Sequence, residues 1–170
     1  MHVSEVNISP TSGMGRVEYY WKKSFEKQGY KFIHIGPDEV GKLIHKGLFA
    51  SSAYSYFKKL NIEPTLFIVH EAAASSFINR GTPCFIESHG VERRAWEGYL
   101  KGLIPSKTKI SFKTKLLFPI WRLSGCDKGL KYADKLLLIN SGVVLCILLS
   151  VLVITKTFFL RFSKPLLLNN

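Results

Sequence analysis

Four short apolar runs, set between stretches that read as helices, constrain this chain more than any other feature of it. They are Phe32-Ile33-His34-Ile35, Leu66-Phe67-Ile68-Val69, Cys84-Phe85-Ile86 and Leu136-Leu137-Leu138-Ile139. A strand that is apolar at nearly every position, and not only at every second one, must be covered on both faces. Crossover helices between parallel strands provide that cover. The pattern predicts an α/β fold, an open parallel sheet with flanking helices. An opening strand is expected over His2 to Ile8. After it comes a helix with its apolar stripe at Val17, Tyr20, Trp21 and Phe25, closed by Gly29. Glu71 to Asn79, rich in alanine and stopping near Gly81, reads as the crossover helix into the strand at Cys84.

With 170 residues, 46% of them apolar, the chain can bury one domain-sized core. Its 24 Lys+Arg against 12 Asp+Glu give a net charge of +12, which attracts phosphate-rich or anionic-lipid partners. Nucleic acid is the disfavoured partner, because the basic residues are scattered and form no recognisable motif. Three cysteines, Cys84, Cys126 and Cys146, without CxxC spacing or a nearby histidine cluster, suggest neither a disulfide framework nor a zinc site. No metal ligand and no cofactor is expected. Met1-His2-Val3-Ser4-Glu5 lacks the basic start and apolar run of a signal peptide, so a cytoplasmic location is expected.

Two later segments differ in character. From Lys101 to Trp121, Lys101, Lys107, Lys109, Lys113 and Lys115 interleave with apolar residues and no acid intervenes. Such a segment can lie on an anionic membrane surface, here the inner face, or be a solvated helix face beside a core stripe. No acid follows Asp134, and Val143 to Ile154 is almost wholly apolar. Counted from Leu136 the run reaches 19 residues, but Asn140, Ser141 and Gly142 interrupt it; a bilayer span needs about 20. A membrane anchor, a buried helix and an out-of-frame reading all remain open for this tail.

The residues suited to chemistry lie in the loops. Ser9-Pro10-Thr11-Ser12-Gly13-Met14-Gly15-Arg16 follows a strand and precedes a helix. Glycines there let backbone N–H groups approach an anion, and the helix N-terminus favours phosphate. Gly13, Gly15 and Arg16 are therefore candidates for binding a phosphate, or form only a turn, since Gly-x-Gly is common in turns.

The order of landmarks resembles glycosyltransferases of family 4. The loop ending in Gly13-Met14-Gly15-Arg16-Val17-Glu18 is followed by Gln28-Gly29-Tyr30, by Ser88-His89-Gly90 with Arg93-Arg94 and Trp96, and by Ala133-Asp134-Lys135 with Asn140-Ser141. The resemblance covers residues 1–142 and implies a Rossmann-like, acceptor-side half of a two-domain GT-B fold, followed by the hydrophobic tail 143–170. It implies retaining transfer from a nucleotide-sugar to a lipid-linked or polysaccharide acceptor. Gly13, Gly15 and Arg16 would bind donor phosphate or acceptor, His89 would face sugar hydroxyls, and Arg93 and Arg94 would line the acceptor cleft. The residues alone also allow a structural His89, a solvated arginine pair and a Trp96 that only packs. The family's E-x7-E belongs to the second domain, so Glu18/Glu26 and Glu63/Glu71 read as coincidences of spacing. A non-catalytic, membrane-anchored binding module is the alternative function.

The break at Gly142 predicts that residues 143–170 are read out of frame. In the nucleotide sequence, a shift of one or two positions near codon 142 should open a polar continuation and a second domain bearing a basic pair and E-x7-E. Early stops in both other frames, with no such domain downstream, would make the tail native.

Overall fold

The structure is a computed structural model, and it describes residues 1–11, 13–89, 91–103 and 110–138. The tail 143–170, Cys146, Asn140-Ser141 and residues 104–109 of the basic stretch lie outside the described residues. The chain forms an α/β unit in which a five-stranded, all-parallel sheet is flanked by helices. Its strands are β1 (His2–Val3), β2 (His34–Ile35), β3 (Phe67–His70), β4 (Cys84–Ser88) and β5 (Lys135–Leu138), in the spatial order β2-β1-β3-β4-β5. All four residues of β3 are buried, as expected of a central strand covered on both faces.

Helix α1 (Gly13–Lys27) links β1 to β2. Gly29 closes it in the left-handed conformation at φ +82, where the Tyr30 N–H reaches the Phe25 carbonyl. The sequence stripe is only partly right: Tyr20 is 54% exposed, while the buried positions are Gly15 and Glu18. After β2 come the short α2 (Pro37–Val40) and then α3 (Phe49–Leu60), a helix the sequence reading does not include. Phe49 and Ala53 of α3 are buried, one helical turn apart. Next to them Tyr54, Phe57, Phe67 and Phe77 form a ring cluster with centroids 5.2–6.2 Å apart.

Three expected elements change length or type, the first being β2, which keeps only His34–Ile35 of the run Phe32 to Ile35. The opening strand stops at Val3 because the Ser4 hydroxyl accepts a hydrogen bond from the Val6 N–H, a local turn that competes with further pairing. The crossover after β3 is a 3-10 helix over Glu71–Ser76, not an α-helix through Asn79. Alanine propensity is a weak prior, and tertiary packing overrides it here. Ala73 and Ala74 are buried, and Asn79 and Gly81 turn the chain with positive φ before Cys84. Helix α4 (Glu92–Leu100), helix α5 (Phe112–Phe118), a π-turn at Pro119–Leu123 and helix α6 (Ser124–Tyr132) then lead to β5. Asp134 opens β5: its carboxylate accepts from the Cys84 N–H at 2.7 Å and its own N–H donates to the Cys84 carbonyl at 3.0 Å.

Among the described residues, no helix is long and apolar enough to cross a membrane.

Gly129 of α6 faces Ala74 so closely that an added Cβ would collide with the alanine side chain. Gly129→Ala should therefore lower the urea midpoint. Overpacking costs about 1–3 kcal/mol, against a helix-propensity gain of about 1 kcal/mol. Gly125→Ala, where the nearest atom is a Ser75 hydroxyl at 3.3 Å, should leave the midpoint unchanged or raise it. A raised midpoint for Gly129→Ala would show that α6 does not pack this closely.

Candidate functional site

From β1 the chain continues to β2 on one side, while β3 pairs on the other, so the connections diverge at the carboxyl ends of β1 and β3. In open parallel sheets ligands bind outside such a switch point, and the crevice is that region; a pocket of about 500 Å³ lies elsewhere, lined by Tyr54, Phe57, Lys58, Asn61, Arg80 and Thr82. The residues carried to these strand ends are Ser4 and Glu5 after β1, His70 at the end of β3, and Ser88 and His89 at the end of β4.

Beneath the crevice lies a buried polar chain. Glu87 of β4 is fully buried; its Oε2 meets His2 Nε2 at 3.2 Å and its Oε1 lies 2.8 Å from His89 Nε2. The second approach is within ion-pair distance but out of hydrogen-bonding alignment, so both atoms stay without a hydrogen bond. Burial alone would push the Glu87 carboxyl up; its contacts to His2 and His89 more than reverse this and hold it well below the usual carboxylate range. With Glu87 ionised, His2 donates Nε2–H to it. The other His2 nitrogen, Nδ1, stands 2.9 Å from His34 Nδ1. His34 is pushed down to about 4, mainly by burial and then by His2 beside it, so it is neutral near pH 7. His70 is also lowered by burial, and its ring is 5.7 Å from that of His89.

A second set ties the crevice walls together. Arg122, from the π-turn, donates to both carboxylate oxygens of Glu5 (2.8 and 2.6 Å) and to Glu92 Oε1 (2.6 Å). Burial works against the guanidinium charge, but the hydrogen bonds from Arg122 to Glu5 and Glu92 raise its pKa further still. Glu71 receives the Ser88 hydroxyl at 2.7 Å and the Glu92 N–H at 3.1 Å, so a buried carboxylate sits at the N-terminus of α4.

The residues singled out from sequence are not brought together. Gly13 and Gly15 lie inside the first turn of α1 and not in a loop, and neither has positive φ. Gly13 is exposed with open space about it, whereas Gly15 is buried and its carbonyl accepts from the Ser9 N–H. Arg16 is exposed and leans over the Tyr20 ring at 5.8 Å. Arg93 is held by a forked pair to Asp127. Arg94 is exposed, with no hydrogen bond or ion pair to a described residue. Trp96 is buried and stacks on Phe118 at 4.4 Å. His89 alone stands in the crevice cluster.

Sequence reasoning missed His2, Glu18, His34, His70, Glu71, Glu87 and Arg122. For Glu18 a signal was present, since it falls on one helical stripe with Trp21 and Phe25 and so had to face the sheet. The sequence reading also did not bring together His2, Glu18 and His34, whose ligand atoms lie within 4.8 Å of one another. The three come from β1, α1 and β2, so no linear spacing announces them. No protein-family model, no curated protein and no solved structure matches the chain.

Burial pushes the Glu71 carboxyl up to about 6 from an ordinary 4.5, against its bonds from Ser88 and Glu92. The folded chain therefore binds the extra proton. This contribution to stability is complete below about pH 4.5 and is lost as pH rises through 6. A carboxyl-carbon NMR titration should inflect near 6 for Glu71, and higher in Ser88→Ala, which removes a bond favouring the charge. An inflection at the ordinary value would mean that water reaches the group.

Proposed function

We propose that residues 1–142 form the Rossmann-like, acceptor-side half of a family 4 retaining glycosyltransferase, whose full-length form moves a sugar from a nucleotide-sugar onto a lipid-linked or polysaccharide acceptor. The observation that carries this reading is His89. The residue matching the family's His-Gly landmark lies at the end of β4, with Glu87 behind its ring and His70 5.7 Å away at the switch-point crevice. A histidine at ion-pair distance from a buried carboxylate, at a strand end, can hydrogen-bond sugar hydroxyls through its ring nitrogens. The all-parallel sheet supports the same reading, and so does the N-terminus of α1 at the exposed Gly13, since a helix N-terminus suits a phosphate.

One further observation favours an anionic membrane surface as partner of this half. Helix α5 and the turn after it leave Phe112 82%, Leu116 59%, Ile120 61% and Trp121 53% exposed, beside exposed Lys113 and Lys115. No acid occurs between Glu97 and Asp127. Such a face pairs apolar insertion with attraction to anionic headgroups, and an acceptor carried on a lipid would be met there.

Both parts are testable in one vesicle system. The chain should sediment with anionic but not zwitterionic vesicles, and Leu116→Asp should abolish this. When the vesicles carry a lipid-linked saccharide, binding should tighten, and His89→Ala should remove about tenfold of that gain while leaving vesicle retention intact. The 170-residue chain should transfer no label from a panel of radiolabelled nucleotide-sugars, because the resemblance assigns leaving-diphosphate stabilisation to the second domain. Turnover above a heat-killed control, or saccharide binding indifferent to His89, would overturn the reading.

A further inference from the structure

The pair His2 and His34, with Glu18 above it, has more ligating capacity than partners. Glu18 is fully buried, and neither of its carboxylate oxygens makes a hydrogen bond; His34 Nε2 is buried and unpartnered as well. No lysine or arginine forms an ion pair with Glu18 among the described residues. A buried carboxylate without a partner is costly, and proteins resolve this by protonation, by a cation or by a metal.

The geometry points to a structural divalent-metal site in which His2, Glu18 and His34 bind one transition-metal ion of the zinc class and fasten α1 onto β1 and β2. The ligand atoms already lie within 4.8 Å of one another. The Nδ1 atoms of His2 and His34 face each other at 2.9 Å. With metal–nitrogen bonds of about 2.0–2.1 Å, that separation is the edge between two neighbouring ligands, and a small opening reaches the tetrahedral spacing. The imidazole–carboxylate ligand set selects zinc-like ions over magnesium or calcium.

Proton accounting is simple. With His2 as the neutral tautomer that donates Nε2–H to Glu87, its Nδ1 carries a lone pair and His34 supplies the shared proton from its own Nδ1. On metal binding that proton moves to His34 Nε2, any proton on the Glu18 carboxyl is released to solvent, and both Nδ1 lone pairs and the carboxylate are free for the ion. Glu87 then stands behind His2 as the second carboxylate of a carboxylate–histidine–metal arrangement, which fixes the ring and strengthens it as a ligand. The site joins three elements separated in sequence, and Glu18 and His2 are closed to solvent. Three protein ligands leave one position for a water, and it is the burial of Glu18 and His2, which bars a substrate from that position, that makes the site structural. The inference does not rest on the glycosyltransferase reading.

The test uses the full chain stripped with chelator and titrated with ZnCl2 or CoCl2. One equivalent should bind. The cobalt form should show ligand-field bands of nitrogen and oxygen ligands without thiolate charge transfer, and amide exchange in α1 should slow. Glu18→Gln and His34→Gln should each weaken binding at least tenfold, and Glu87→Gln about ten- to a hundredfold; His45→Gln, at an exposed position, should leave it unchanged. Wild type alone also decides the matter, should the variants not fold. One equivalent of zinc must shift the ring-nitrogen resonances of His2 and His34 and spare those of His45, His70 and His89. Failure to bind one equivalent, or shifts confined to the other histidines, would overturn the site.

Discussion

Three carboxylates, Glu18, Glu71 and Glu87, are shut away from water, and the rest of the structure is arranged around what each receives in return. Leaving such a group unsatisfied costs several kcal/mol, comparable with a sizeable share of the stability of a domain. Glu87 has two histidines, drawn from β1 and from its own strand end. Glu71 has a serine hydroxyl and the first N–H of α4. Glu18 has no hydrogen bond, and its pKa is raised, chiefly by burial, with His2 and Ser4 acting against the rise. The three thus sit at different points on one scale from satisfied to unsatisfied.

These contacts also account for how the crevice is built. Glu71 joins the end of β3 to the start of α4, and Arg122 gathers Glu5 from the end of β1 and Glu92 from the same helix turn. The loops above the sheet are therefore anchored by charge while the sheet beneath is anchored by Phe67, Val69, Ile86 and Phe77. Charge-assisted bonds hold side chains in a fixed direction, which apolar packing does not do. His89 stands at ion-pair distance from Glu87, whose other oxygen is held by His2, but makes no aligned hydrogen bond to it.

Helix α5 stands apart from this logic. None of its residues is buried, and its large side chains project outward beside lysines. Its Phe118 stacks on Trp96, while Phe112 and Leu116 are left exposed among the described residues. Contiguous exposed apolar side chains of this kind are a common mark of contact surfaces.

The sequence by itself determined the fold class. Unbroken apolar runs at residues 32–35, 66–69, 84–86 and 136–139 leave no solvated face, and a sheet buried on both sides follows from that alone. It also determined where α1 ends, since Gly29 supplies the left-handed residue there, and that Trp96 could serve packing. Tertiary structure alone decided the site. A strand's length depends on its partner, so β1 could stop at Val3 once Ser4 capped the next turn. Glu18 and Glu71, which looked like members of accidental E-x7-E spacings, are buried because α1 lays Glu18 beside His2 and His34 and the turn after β3 sets Glu71 against Ser88 and the start of α4. Arg93, which looked free, is taken up by Asp127 from a helix 34 positions away. Side chains that meet across a parallel sheet are separated by whole crossover connections, and no local spacing in the sequence records which of them will touch.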